Sequence, residues 1–211
     1  LIGVSALHTI IIATGLTDGI VVQQGEAPEG RLSNFLITGA VNGIKIGPAK
    51  ALVQNVVSTG NTNGVVVIGG DARLINMTIA FNSNNGVQVG STVQITSCII
   101  VNNGGFGVMN TAGTVSGGYN CFFANGIGGT QHFFIFEPLV GLIFAPVAFV
   151  NAAAYDFRVL AGSASVDAGD PAANFSNEPP PNGFRINCGA FGNTVFATKS
   201  LPGVIAGGGG A

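Results

Sequence analysis

The chain has 211 residues, of which 34 are glycine and only 8% are charged, and its net charge is −2. This length suits one domain or one solenoid with a continuous core. The seven lysines and arginines are scattered, which argues against a nucleic-acid partner. No heptads and no long runs of helix formers occur, which argues against coiled-coil partners.

Asparagine recurs in the first half of the chain at a nearly constant interval. Asn34, Asn55 and Asn76 are 21 residues apart, Ser97 takes the next position, and Asn120 follows 23 residues later. Such a period indicates a repeat architecture. We expect these five residues to form a ladder at one bend of the repeat, with side chains that hydrogen-bond along the stacking axis.

A second register lies between these positions, where a glycine opens each short apolar segment. Its members are Gly19, Gly43, Gly64, Gly86 and Gly107. A period of this length is typical of two main solenoids, the leucine-rich repeat and the parallel β-helix. The repeated positions hold Val, Ile and Gly instead of leucines, which favours the parallel β-helix. The sequence therefore predicts an all-β, three-sided, single-stranded parallel β-helix with about 21–22 residues per coil.

Alternation along the strands predicts which side chains point into the helix. The position after each ladder residue is predicted to face inward, and its members are Phe35, Val56, Met77, Cys98 and Cys121. The next position, with Val57, Ile99 and Phe122, should face outward, as should Val21 and Val66 on another side. Because soluble monomers rarely expose stacked apolar residues, we expect this interaction face to pack against a second copy or a larger assembly.

The residues after the repeats carry more specific motifs. They are Tyr155-Asp156-Phe157-Arg158-Val159, Val166-Asp167-Ala168-Gly169-Asp170-Pro171 and residues 181–194. Together with the coil repeat at residues 75–82, these motifs resemble the right-handed parallel β-helix of the pectin-lyase-like superfamily and the closing segment of secreted bacterial β-helix proteins. The resemblance implies a right-handed helix and a secreted, extracellular or cell-surface location of the bacterial-envelope type.

The same resemblance divides the single domain into three parts. Residues 1–123 are predicted to form the coils, and residues 124–198 the last coil or coils, an apolar loop and the closing segment. Residues 199–211 are predicted to form a flexible glycine-rich tail. The apolar segment 133–150 approaches the length of a membrane span, but Pro138 and Pro146 argue against one because lipid cannot replace the backbone hydrogen bonds they break.

The three cysteines allow two interpretations. Cys98 and Cys121 share the predicted inward register of neighbouring coils, and Cys188 lies near the end of the chain. One disulfide in an oxidising compartment and small apolar fillers in the core would both fit this arrangement. The odd number of cysteines favours fillers.

Enzymes of the pectin-lyase-like superfamily, which this sequence resembles, place acidic side chains on the outside of adjacent coils for metal binding or for acid–base chemistry. The predicted outward row of the glycine-led strands is Val21, Lys45, Val66 and Gln88, which contains no acid. Asp167 and Asp170 in the closing segment are the remaining candidate acid pair, although turns explain both residues. The sequence thus assigns no catalytic, metal or cofactor site.

These observations predict a non-catalytic protein of the cell exterior with a structural or interaction role and a protein partner or a second copy. A carbohydrate-active lyase or hydrolase and a sugar-binding module on the same fold are the alternatives. Sugar binding is disfavoured by the lack of tryptophan and by only two tyrosines, because aromatic rings usually hold sugar rings.

Overall fold

The computed structural model describes residues 1–23, 29–126, 133–134 and 139–202. Among these residues there is almost no helix, and parallel strands stack into a β-solenoid of about five turns. The strands are β1 Ile10–Ile12, β2 Asp18–Val22, β3 Gly30–Thr38, β4 Asn42–Ile46, β5 Lys50–Thr59, β6 Asn63–Val67, β7 Asp71–Ile75, β8 Thr78–Ala80, β9 Val87–Val89, β10 Thr92–Thr96, β11 Ile99–Val101, β12 Val108–Asn110, β13 Val115–Gly118, β14 Cys121–Phe123, β15 Phe133–Phe134, β16 Ile143–Phe144, β17 Phe149–Asn151 and β18 Asp156–Val159. The all-β solenoid predicted from the repeat period is confirmed.

The strands of the solenoid fall on three faces. The first face contains the first halves of β3 and β5 with β7, β10 and β13; the second contains β1, the second halves of β3 and β5, β8, β11, β14 and β16; the third contains β2, β4, β6, β9, β12 and β15. Paired residues are mostly 21 or 22 positions apart, as in the row Ile44, Val65, Val87. The sequence period is therefore the register of the parallel strands.

A left-handed residue separates the first face from the second in each coil. Asn34, Asn55, Asn76 and Ser97 have φ of 62°, 53°, 47° and 55°. We call these four residues the corner row. Asparagine suits this backbone because its short polar side chain lowers the penalty of the left-handed region.

Asn120 does not belong to the corner row, so this part of the predicted ladder is wrong. Tyr119 takes the left-handed position of that coil, with φ of 56°. Asn120 is buried one position further on, where its Oδ1 accepts from the N–H of Cys98 at 2.9 Å and its Nδ2 donates to the carbonyl of Ile95 at 2.9 Å. The spacing of 23 residues after Ser97 is the sequence signal of this shift.

The interior of the solenoid is one apolar core. It is filled by stacked Val, Ile, Leu, Phe and Met side chains from all three faces, and most of them are fully buried. The core contains four of the five residues predicted to face inward, Phe35, Val56, Met77 and Cys98. The fifth, Cys121, faces outward because the strand pairing matches it with Ile99.

A second core lies outside the second face. Residues 149–200, which we call the closing segment, pack along this face and bury its outward side chains. The second core contains Leu36, Val57, Ile99 and Cys121 from the solenoid, and Phe157, Ala168, Cys188, Ala190 and Phe191 from the closing segment. The hydroxyl of Thr78, in the same outward row, accepts from the N–H of Ala190 at 3.0 Å.

The predicted interaction face is therefore corrected. Val57 and Ile99 point outward as expected, but they are 0% and 1% exposed because the closing segment covers them. Phe122 points into the interior core because it pairs with Ile100, since the left-handed residue of this coil is Tyr119, one position before the predicted Asn120. On the third face, Val66 is also buried, and only Val21, at 39%, is exposed.

A buried, hydrogen-bonded asparagine ladder, which we call the inner ladder, occupies a different bend, between the second and third faces. Its members are the buried residues Asn61, Asn82, Asn103 and Asn125. The Nδ2 of each residue donates to the Oδ1 of the next, at 3.2, 2.9 and 2.9 Å. The same Oδ1 atom also accepts from the backbone N–H of the ladder asparagine one coil before. The ladder thus satisfies polar groups that this tight bend would otherwise bury unpaired.

The recurring glycines are explained by this inner ladder. A Cβ on Gly64 would lie 2.9 Å from the Nδ2 of Asn82 and 2.6 Å from a methyl carbon of Ile79. A Cβ on Gly43 would lie 2.8 Å from the Nδ2 of Asn61 in the same way. Glycine therefore recurs at Gly43, Gly64 and Gly86 because the ladder amide fills the space that a side chain would need.

The apolar segment 133–150 contains β15, β16 and the start of β17 in its described parts. No helix among the described residues is long and apolar enough to cross a membrane. Residues 135–138 of this segment, with His132 before them, lie outside the described residues, as does the tail from residue 203 onward.

All three cysteines are free and buried. Cys98 lies in the interior core, whereas Cys121 and Cys188 lie in the second core. Cys98 and Cys121 therefore point to opposite sides of the second face and do not share an inward stack.

Candidate binding groove

The corner row attaches the closing segment to the solenoid. The Nδ2 of Asn55 donates to the carbonyls of Ala190 and Gly192, at 3.0 and 2.8 Å. The Nδ2 of Asn76, one coil further on, donates to the carbonyls of Asn187 and Gly189, at 2.8 and 3.4 Å. Each amide thus holds two carbonyls that are two residues apart.

Ser97 completes this attachment with a hydroxyl. Its Oγ accepts from the N–H of Asp170 at 2.9 Å, and its carbonyl accepts from the N–H of Gly189 at 2.9 Å. One longer bond, from the Nδ2 of Asn76 to the carbonyl of Ser97 at 3.4 Å, runs along the stack as predicted for a ladder. The principal partners of the row, however, belong to the closing segment, so its main role is lateral anchoring.

Asn34 is the first member of the corner row and differs from the others. Its backbone has the same left-handed conformation, and its neighbours Ser33 and Phe35 pair in register with Gln54 and Val56. Within the described part of the chain, neither the Asn34 amide nor the Gln54 amide beside it has a hydrogen-bond partner. Both amides are therefore available to a ligand.

These amides line a groove with a volume of about 400 Å³. From the solenoid, Ser33, Asn34, Gln54 and Asn55 line the groove together with residues 4–6. From the closing segment, its lining includes the turn at residues 193–196. No charged side chain is among the described residues that line the groove, so its chemistry suits an uncharged ligand with both donors and acceptors.

A buried acid shapes the wall formed by the closing segment. Glu178 is 4% exposed, and its Oε1 accepts from the N–H groups of Asn187 and Asn193, both at 2.8 Å. Asn193 in turn accepts from the N–H of Asn177 at 3.1 Å, and both asparagines line the groove. Burial raises the pKa of Glu178 to about 7. No sequence signal predicts this role of Glu178, because nothing around it in the chain indicates that it is buried.

Two acids of the solenoid, Glu29 and Asp18, form ion pairs. Glu29 lies 3.7 Å from Arg31 and 3.9 Å from Arg73. Asp18 pairs with Lys45 at 3.0 Å, and the hydrogen bond from Asn42 lowers the pKa of Asp18. No group of three or more His, Cys, Asp or Glu residues that could hold a metal ion occurs among the described residues.

The closing segment contains the acid pair singled out in the sequence. Asp170 accepts from the N–H of Ala172 at 2.9 Å, a short-range contact of the kind found in turns. Asp167 is buried against Gly183, and burial raises its pKa. Arg185 donates to the carbonyls of Gly169 and Ala168 and lies over the ring of Tyr119, which ties this part of the segment to the last coils.

The fold and the groove together define a class of protein. It is a parallel β-solenoid whose closing segment packs along the second face and is hydrogen-bonded to the corner row. A groove without charged side chains among the described residues lies beside the first residue of that row, Asn34. Comparison with known protein families, with characterised proteins and with solved structures finds no match to this chain.

Proposed function

We propose that this protein is a non-catalytic binding protein of the cell exterior, and that the groove beside Asn34 and Gln54 is its binding surface. The observation that carries this proposal is a groove of about 400 Å³ in which, among the described residues, the amides of Asn34 and Gln54 have no hydrogen-bond partner and no side chain is charged. A volume of this size is typical of ligand sites. Half-buried amides such as these can recognise a ligand through directional hydrogen bonds, because each carries both donors and an acceptor.

The location outside the cell rests on the sequence. The motifs of the closing segment resemble those of secreted bacterial β-helix proteins of the pectin-lyase-like superfamily. The interaction role no longer relies on the apolar second face, because the closing segment covers that face. The groove replaces it as the surface through which a partner is bound.

A sugar-binding module is the second candidate function. The groove offers amide and hydroxyl groups next to the half-buried ring of Phe196. An apolar ring face beside hydrogen-bonding groups is a common arrangement for holding a sugar ring. Both candidates share the groove, so one experiment tests it for both.

The test is a binding screen with nuclear magnetic resonance detection on the isotope-labelled protein. The panel contains neutral oligosaccharides, uronate oligosaccharides and uncharged peptides. We expect a neutral compound to shift the side-chain NH₂ signals of Asn34 and Gln54, and Gln54→Ala to weaken that binding. Gln88→Ala, which removes an amide of the third face, is the matched control and should bind normally.

Two results would contradict the proposal. Binding that shifts signals elsewhere on the solenoid while the groove is unaffected would place the binding surface somewhere else. Release of unsaturated uronates or reducing sugars from the oligosaccharides by the purified protein would show that it is an enzyme.

A further inference from the structure

We propose that the groove binds a peptide segment of a partner protein that carries an uncharged triplet ending in glycine, and that Asn34 holds this segment as Asn55 and Asn76 hold the closing segment. The inference rests on the proposed function, because it names the ligand class of the same groove.

The chain itself contains the precedent for this mode of binding. Asn187-Cys188-Gly189 lies on Asn76, and the next triplet, Ala190-Phe191-Gly192, lies on Asn55. In each triplet the first and third carbonyls accept from one Nδ2 group. A step of three residues along the closing segment therefore matches a step of one coil along the solenoid.

The third member of this series has no occupant from the described chain. Asn34 has φ of 62°, close to the 53° of Asn55, and the strands on both sides of it keep the register of the row. After Gly192 the closing segment leaves the row and forms a turn, in which the hydroxyl of Thr194 accepts from the N–H of Phe196 at 3.2 Å. The groove is the space that a third triplet would fill.

The contacts of the two resident triplets define the sequence that fits. A Cβ on Gly192 would collide with the Nδ2 of Asn76 and the carbonyl of Asn187. Gly189 has φ of +91°, and a Cβ there would lie 2.9 Å from the hydroxyl of Thr78. Glycine is thus required at the third position of both triplets. Because no charged residue among those described lines the groove, the other two positions of the ligand should be uncharged.

The acceptor pattern favours a peptide over a neutral sugar. Each resident amide binds two carbonyl oxygens separated by two residues, a spacing that the peptide backbone provides at every position. The hydroxyl groups of a hexose both donate and accept hydrogen bonds. They therefore match the two acceptors that each corner-row amide binds less specifically than a pair of peptide carbonyls does.

The experiment uses the full chain and the blocked tripeptide Ala-Phe-Gly as the probe. We expect it to bind with a dissociation constant of about 1 mM or tighter, since few hydrogen bonds form, and to shift the NH₂ signals of Asn34. Blocked Ala-Phe-Val should bind at least tenfold more weakly because of its Cβ. A neutral hexose oligosaccharide is the comparison ligand.

The variant Asn34→Gly removes the amide but keeps a residue that accepts positive φ. We expect its affinity for Ala-Phe-Gly to fall about tenfold, which is the loss of roughly one to two hydrogen bonds, while its melting temperature stays near that of the wild type. Asn55→Gly, the same substitution one coil later, should instead lower the melting temperature, because Asn55 anchors the closing segment.

The outcomes separate the two proposals. If Ala-Phe-Gly does not bind, or binds Asn34→Gly as well as the wild type, the peptide inference is wrong. If the oligosaccharide then shifts the groove signals, the binding function stands and its ligand is a sugar. If neither the tripeptides nor any compound of the wider panel shifts groove signals, both proposals fall.

Discussion

Burial of the second face can be tested with two neighbouring isoleucines. Ile99 and Ile100 are 1% and 0% exposed, but Ile99 points into the second core and Ile100 into the interior core. The pair therefore provides the same substitution on opposite sides of one strand. We predict that both Ile→Ala changes are strongly destabilising, with different structural consequences.

The size of the effect follows from what Ile99 contacts. Alanine removes three buried carbons, which is about 2.4 kcal/mol of transfer free energy. Only about 10 Å³ of free volume lies beside Ile99, so the loss also leaves a new cavity. Together these effects predict a loss of about 3–4 kcal/mol in the free energy of unfolding, within the range measured for such changes.

Urea unfolding and limited proteolysis measure the two consequences. Ile100→Ala should lower the stability of the whole solenoid. Ile99→Ala should loosen the closing segment first, so that protease cleaves within residues 149–200 under native conditions. Ile99→Lys should release this segment altogether, because the closing segment would bury a charge.

A loss below about 0.5 kcal/mol for Ile99→Ala, the level typical of surface substitutions, would refute this account if protease resistance were also unchanged. It would mean that the closing segment does not cover the second face. The apolar row would then be an exposed surface, as the sequence alone suggested.

Three further predictions concern Glu178, the inner ladder and its glycines. The pKa of Glu178 is raised from 4.5 to about 7, so the folded state keeps a proton that the unfolded state has lost between those values, and stability should fall as the pH rises through this window, by at most about 1.4 kcal/mol per pH unit. Glu178→Gln should flatten that dependence in urea titrations, and an unchanged slope would show that another group causes it. Asn82→Ala removes a buried amide that bonds to both neighbouring coils and should lower the free energy of unfolding by about 3 kcal/mol or more. Asn84→Ala removes an exposed amide that donates to the Oδ1 of Asn63 alone and should lower it by less than about 1 kcal/mol; equal losses would contradict the contribution of the inner ladder. Gly64→Ala should reduce the melting temperature by several degrees because its Cβ meets the Asn82 amide and Ile79, and a melting temperature equal to that of the wild type would argue against this packing.

The solenoid was predictable because its register is local information. In stacked parallel strands, the number of residues per coil appears directly as the spacing between equivalent residue types. The interval between Asn34, Asn55 and Asn76 therefore indicates both the fold and the pairing of the first two faces. The glycine register predicts the start of the third-face strands for the same reason.

The direction of the asparagine side chains was not predictable in this way. Asn61, Asn82 and Asn103 have the same 21-residue spacing as the corner row, yet only they form the inner ladder. The difference lies in the bends: the corner-row residues have positive φ themselves, and the amides of Asn55 and Asn76 reach the closing segment. Spacing alone does not distinguish two bends with the same period.

The outward apolar row shows what the tertiary structure decided. The sequence alone determined that Val57 and Ile99 lie on the outside of the second face, because strand alternation places them there. Whether that outside meets another molecule depends on residues far along the chain, such as Ala190, whose carbonyl accepts from Asn55 across 135 positions. Contacts at this separation leave no periodic trace, so only the folded chain shows that the face is covered and that the groove at Asn34 remains open.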